Sequence, residues 1–262
     1  MTGADVLGVG VLTGWGYGIA ALPDVAQQAA AGRAVIPIVT PEVTGEGPSD
    51  RFRRTTRECM LGIAAVDAAL RDAGIAREEI RGSDTALVYV TAGAYGASNR
   101  AFIEAASTGA LHFPYTAPSA VPAEVAIEFG LHGSYVILIG GATTTLEALW
   151  HASTLIGRGS ARHALVLAVE TFAECADLYA RARRLMPQPL VESAACVVLG
   201  PGTRRPTWRD TVPDRLAARV HARAGETLAC APLIAAALAR AAHETPLSLT
   251  GSWRGQRAAL VW

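Results

Sequence analysis

Lysine is missing from this sequence: all 23 basic side chains among its 262 residues are arginine, matched by 23 aspartates and glutamates. No lysine ammonium is therefore available to any mechanism, and the uniform choice of arginine reads as an effect of codon composition. The zero net charge argues against a broad electrostatic attraction to nucleic acid. Cysteine is scarce. Cys59, Cys175, Cys196 and Cys230 are scattered without C-x-x-C spacing, so neither a zinc site nor a disulfide framework is suggested, and a reducing compartment fits best. The six histidines, His112, His132, His151, His163, His221 and His243, include no pair at metal-ligand spacing, so no metal is expected. No stretch reaches the ~18 uninterrupted apolar residues of a membrane span, and the first residues lack a basic region followed by an apolar core. A cytoplasmic protein that binds neither membrane nor nucleic acid is expected.

What the sequence does have is apolar content, 51% hydrophobic, enough to bury a sizeable core in one or two domains. Its central stretch is Tyr135-Val-Ile-Leu-Ile-Gly-Gly-Ala-Thr-Thr-Thr-Leu-Glu-Ala-Leu-Trp150. A short apolar run bounded by glycine reads as a buried strand, and Leu146, Leu149 and Trp150 then follow helical periodicity. The pattern delivers Ala142 to a helix N-terminus, where unpaired N–H groups and the positive dipole end favour a nucleophile or an anion. Alanine has no chemistry to offer there. Thr144 followed by Glu147 matches a capping box, which gives both residues a structural reason to be present.

Around this centre the chain alternates strand and helix. Val6–Leu12 reads as a strand, followed by Gly14, Gly16 and Gly18 and a helix from about 20 to 31. A dinucleotide fingerprint fails here, because Thr13 stands where the third glycine belongs and no acid closes a second strand about 20 residues on. No cofactor is expected. Thr40 to Asp50 is a loop by composition and leads through Arg51–Arg54 into a helix carrying Met60, Ile63, Ala64 and Leu70, closed by Gly74. Strands are expected at 85–91, 163–170 and 190–199, with a short helix framed by Pro122 and Gly130. Parallel strands with crossover helices on both faces follow from that alternation.

The stretch ending at Ala142 resembles the nucleophile elbow of the β-ketoacyl synthases, in which a cysteine stands at the strand end before small hydroxyl residues and an alanine-rich helix. Ala142 falls on the cysteine position, with Gly141 before it and Thr143 after it. Glu192-Ser-Ala-Ala resembles the G-E-G-A strand start, and Gly225-Glu-Thr-Leu-Ala-Cys-Ala231 resembles G-H-T-x-G-A-A with Glu226 at the histidine position. Thr250 to Trp262, including Ser252 and Trp253, is similar to the closing glycine-rich turn and last strand. The resemblance implies an α/β thiolase-like fold with one nearly complete βαβαβαββ half, residues 1–204, and a strongly reduced second half, residues 205–262, within one domain.

Condensation in that family needs a cysteine thiolate and two histidines. Ala142 carries no acyl chain, Glu226 replaces one histidine, and the other histidine and a catalytic lysine have no counterpart. The resemblance therefore implies a chain-length-factor-like pseudoenzyme, a heterodimeric partner of an active β-ketoacyl synthase in polyketide or fatty-acid-type assembly that meets an acyl carrier protein through the complex. Leu111, Phe113 and Tyr115 are its candidate tunnel residues, and Tyr135, Ile137 and Ile139 its candidate interface strand. Apolar surface left bare by the reduced half is expected to need that partner. Two other readings stay open. One is a thiolase-fold enzyme of other chemistry, an acyl-thioester decarboxylase or acyltransferase, using Glu226. The other is a homodimeric scaffold that binds an acyl carrier protein through Arg181, Arg183 and Arg184.

Overall fold

The computed structural model describes residues 3–39, 55–105, 110–183, 188–210 and 212–262. The loop at 40–50, Arg51–Arg54 and Arg184 lie outside the described residues.

Strand β1 (Gly3–Thr13) and the two-residue β2 (Gly16–Tyr17) open the chain, before a one-turn α1 (Ala26–Ala29) and β3 (Val35–Ile36). Helix α2 (Arg57–Ala73) leads to β4 (Thr85–Thr91), then α3 (Gly96–Glu104) and α4 (Ala120–Phe129) lead to β5 (Tyr135–Ile139). Next come α5 (Ala142–Gly157), β6 (His163–Glu170), α6 (Phe172–Ala182), β7 (Leu190–Val191) and β8 (Ser193–Gly202). The remainder holds β9 (Thr207–Arg209), α7 (Arg215–Ala224), α8 (Ala231–Ala241), β10 (Ser248–Trp253) and β11 (Gln256–Val261).

A six-stranded sheet in the order β2-β1-β8-β6-β4-β5 forms the body. The all-parallel expectation is corrected. Strands β4, β5 and β6 are parallel, but β8 runs antiparallel to both β6 and β1. The reason is that Glu170, which ends β6, pairs with Ser193, which starts β8, so α6 connects the two strands at the same end of the sheet instead of crossing back over it. Pro23 breaks the helix expected over 20–31 into a 3₁₀ turn at Ile19–Ala21 and the short α1. Pro122 is the third residue of α4 rather than its first, where its missing N–H still costs nothing. The strand expected over 190–199 is split at Glu192, whose N–H bonds to Ile36.

Helices α2 and α4 cover one face of the sheet, where Leu61, Val66, Val121 and Phe129 pack on Tyr89, Leu165 and Leu167. Gly8 and Gly10 permit this close contact. A Cβ on Gly10 would lie 2.5 Å from the Ala69 nitrogen, so the β1 glycines serve helix packing. On the other face, α5 and α8 lie between the large sheet and a three-stranded sheet ordered β10-β11-β9.

That small sheet repeats part of the large one. Strand β11 is antiparallel to β9 and β10, as β8 is to β1 and β6, and α8 precedes β10 as α5 precedes β6. Counterparts of β4 and β5 are absent among the described residues. The bare apolar surface expected from this reduction is not found on the outer face of the small sheet. Side chains alternate along a strand, and the register places Ser248, Thr250, Ser252, Arg257, Thr207 and Arg209 on that face with only Ala259 and Val261 as apolar members. Leu249, Leu260 and Trp262 are buried in the main core.

Candidate functional site

The elbow forms as its residue pattern dictates. The apolar run of β5 ends at Gly140, whose N–H donates to the Thr91 carbonyl at 3.0 Å, and α5 begins at Ala142 with Gly141 as its N-cap. The capping box expected from Thr144 and Glu147 is corrected: the helix starts two residues before Thr144, and no side chain caps it. Thr144 instead rests its Oγ1 over Gly140, in the space a Cβ would take.

The head of α5 is roofed by β10. A Cβ on Gly251 would lie 2.8 Å from the Ala142 carbonyl carbon, and the Trp253 ring occupies the space beside Gly141. Ala142 and Thr143 are buried. Ser252, between Gly251 and Trp253, points to the opposite face and is exposed. Glu226 lies on a parallel bridge with Leu190, where its N–H donates to the Pro189 carbonyl and its own carbonyl accepts from Val191, both at 2.9 Å. Its Oε1 accepts the Leu228 N–H at 2.9 Å, and its Oε2 is 4.0 Å from His221 Nε2. The carboxylate thus caps its own turn.

Beneath the elbow the structure gathers buried groups that the sequence did not single out. Glu170 ends β6 at 2% exposure. Its Oε1 accepts the Ala92 N–H at 2.7 Å, and its Oε2 accepts from Cys175 Sγ at 3.0 Å and from Thr91 Oγ1 at 3.4 Å. Burial raises its carboxyl to about 7, against the pull of these donors and of the Ala229 N–H. The signal for it in sequence is an acid closing an apolar strand. Glu192 of the G-E-G-A-like segment binds three elements together: Oε1 accepts the Phe172 N–H at 2.7 Å, and Oε2 accepts the Ile38 N–H at 2.8 Å and Arg57 Nη2 at 2.5 Å.

No cysteine offers a thiolate to replace the one absent at position 142. All four are free and buried. Burial pushes the Cys59 thiol up to about 12 and also raises Cys175, Cys196 and Cys230, with Glu170 adding to the rise at Cys175 and Cys230. Thr145 Oγ1 donates to the Ala229 carbonyl at 2.7 Å. Among the described residues no group of three or more His, Cys, Asp or Glu side chains is placed to hold a metal.

The other nominated residues are divided among β5, the 110–116 segment and the end of α6. Strand β5 is the last strand of the large sheet, with Tyr135 60% and Ile139 52% exposed and Ile137 packed partly against the core. Phe113 is 63% exposed and stacks its ring at 5.7 Å from Phe102, beside the exposed Ile103. Tyr115 turns inward and donates its hydroxyl to Glu124 at 3.0 Å. The Leu111 side chain lies outside the described residues. Arg181 and Arg183 are exposed at the end of α6.

The family model for the β-ketoacyl synthase N-terminal domain matches residues 38–196. No curated protein matches the chain in sequence. Among solved structures, the fold is similar to the ishigamide ketosynthase/chain length factor, with TM-score 0.70 and 18% identity over 99% of this chain and 98% of that one. It is also similar to the AntDE:AntF complex of a type II polyketide synthase acyl-carrier protein with its ketosynthase, with TM-score 0.74 and 13% identity over 100% and 99% of the two chains. A third, the ketosynthase ApeO in complex with its chain length factor ApeC from Xenorhabdus doucetiae, gives TM-score 0.64 and 13% identity over 100% of each chain. At these identities the structures show the thiolase-like fold, and the family match over more than half of the sequence settles membership: the chain belongs to the β-ketoacyl synthase family.

Proposed function

We propose that this protein is a non-condensing, chain-length-factor-like subunit that pairs with an active β-ketoacyl synthase in polyketide or fatty-acid-type chain assembly. The observation that carries the reading is the elbow: an alanine at the nucleophile position, beneath a roof made by Gly251 and Trp253. Acyl transfer has no covalent acceptor there, and no buried thiol substitutes for it. Solved neighbours that are complexes of a ketosynthase with a chain length factor support the same assembly.

In this reading β5 meets the partner. An edge strand with exposed Tyr135 and Ile139 invites pairing, and a sheet continued across two subunits satisfies its unpaired backbone groups. Leu111, Phe113 and Tyr115 approach the partner's acyl tunnel from the same side, and an acyl carrier protein is met through the complex. Residues 1–204 and 205–262 act as the unequal halves of one domain, and the assembly works in the cytoplasm, in secondary metabolism. Glu226 fits acid–base chemistry poorly, because its carboxylate is spent on Leu228, so the decarboxylase reading gains no support from the site.

Light scattering on the protein co-expressed with a ketosynthase encoded beside it tests the proposal. A one-to-one complex is the expected result. A stable species of this chain alone that leaves the ketosynthase's activity unchanged would overturn it.

A further inference from the structure

We infer that the outer face of the β10-β11-β9 sheet is a docking surface for a protein partner rich in carboxylates, received by Arg209, Arg257 and Arg254. The charge of the chain is divided unevenly. Residues 201–262 hold nine arginines and four acids, and residues 1–200 hold fourteen and nineteen, so a molecule of zero net charge has a smaller part at +5 and a larger one at −5. Four of the nine arginines serve the fold itself. Arg219 pairs with Glu244 at 2.6 Å, Arg240 donates to the Val6 and Leu7 carbonyls, Arg223 donates to those of Leu22 and Pro23, and Arg204 stands 4.0 Å from Asp5. Arg209, Arg254 and Arg257 differ: all three are exposed, and none forms an ion pair among the described residues.

The strand register brings two of them together. Arg209 sits opposite Ala259, and Arg257 lies two residues along β11 from that alanine on the same face, so the two are diagonal neighbours across the β9–β11 ladder. Like charges at that spacing repel, and no acid lies between them on the face. Ser252, opposite Arg257, adds an exposed hydroxyl, and Arg254 at the hairpin tip stacks on the Trp253 ring at 5.6 Å. Two acids stand at the border. Asp214 accepts from Thr250 Oγ1, and Asp210 follows the end of β9.

A guanidinium presents a planar fork of donors that a carboxylate accepts in pairs, so two open forks side by side suit carboxylates. Their carrier is a compact protein surface and not a long polyanion. A nucleic acid or an anionic membrane runs past a patch of three arginines and meets the negative charge of the larger part, whereas an acidic patch on a protein ends where the arginines end. The inference goes beyond the pairing of β5 with a ketosynthase, since β5 and β9–β11 belong to different sheets.

Fluorescence anisotropy of a labelled poly-glutamate peptide, titrated with the whole protein, tests it. The peptide is expected to bind at low salt and more weakly as salt is raised, and a poly-glutamine peptide of the same length is expected not to bind. The double variant Arg209→Ala, Arg257→Ala should bind about tenfold more weakly, as two exposed ion pairs are lost, with its unfolding midpoint unchanged. Arg181→Ala, Arg183→Ala on α6 should bind as wild type does. The assignment is overturned if wild type ignores poly-glutamate, if the first double variant binds undiminished, or if the α6 variant loses as much. Tighter binding to duplex DNA or to phosphatidylserine vesicles than to the peptide also overturns it, because the face then serves a polyanion or a membrane. A wild-type dimer that the first double variant abolishes would make the occupant a second copy of this chain and overturn it as well.

Discussion

A helix N-terminus that in this family presents a nucleophile here presents a methyl group, and restoring the sulfur should not restore chemistry. Ala142→Cys places a thiol under Gly251 and Trp253, with no histidine described beside it to take the proton. Incubation with an acyl thioester should leave the variant's intact mass unchanged, and an acyl adduct would show that the site keeps a latent catalytic apparatus. Glu192 is the opposite case, a residue whose value is structural. Its two oxygens collect two backbone N–H groups and Arg57. Because Arg57 is 30% exposed and can turn to water, Glu192→Gln should cost about 3 kcal/mol, the lower end for a broken buried pair. Chemical denaturation should show it as a lower midpoint with an unchanged slope. At this scale the sequence was informative where chemistry is local. Alanine, threonine and glycine at 141–145 announce an elbow by their order alone, whereas the bond from Thr145 Oγ1 to the Ala229 carbonyl spans 84 positions and leaves no trace in the spacing.

Strand β5 shows what an element can and cannot reveal. Its apolar run predicts a strand, and the glycines predict where it stops. Nothing in the run says that one side of it is unpaired, since edge and centre are decided by topology. The structure supplies that: among the described residues β5 bonds only to β4, and Tyr135 and Ile139 face solvent. Charging such an edge blocks pairing without disturbing a core. Ile139→Lys should leave the unfolding free energy of the isolated protein within about 0.5 kcal/mol of wild type, because the site is half exposed. Gel filtration with the ketosynthase should show loss of the complex, and a complex that forms undisturbed would move the interface elsewhere. The direction of β8 was equally hidden. Residue patterns fix which faces are apolar but not the sense of a strand, and only the pairing of Glu170 with Ser193 shows that α6 makes no crossover.

For the whole molecule, the small sheet decides whether 205–262 is a remnant or a working part. The outer face of β9–β11 carries serine, threonine and arginine and is suited to water, and the apolar surface left open lies at Trp208 of β9 and Trp150 of α5, each 41% exposed with ring centroids 6.5 Å apart. The inner face of the small sheet does the reverse. Leu233, Ile234 and Leu238 of α8, with Leu247, Leu249, Leu260 and Trp262, are buried in the same cluster as α5 and β6, and the Trp262 indole donates to the Ala4 carbonyl at 2.6 Å. Burying those side chains is worth roughly 10–20 kcal/mol, as much as the entire net stability of an ordinary domain. The smaller part is therefore the second wall of the core, without which α5 lies bare along one side. A chain ended at residue 204 should bind a hydrophobic dye, unfold without a cooperative transition and elute as an aggregate, while the full chain unfolds as one unit. If the shortened chain melts cooperatively as a monomer, α5 is held by the large sheet alone and 205–262 is an ornament on a domain that ends before it.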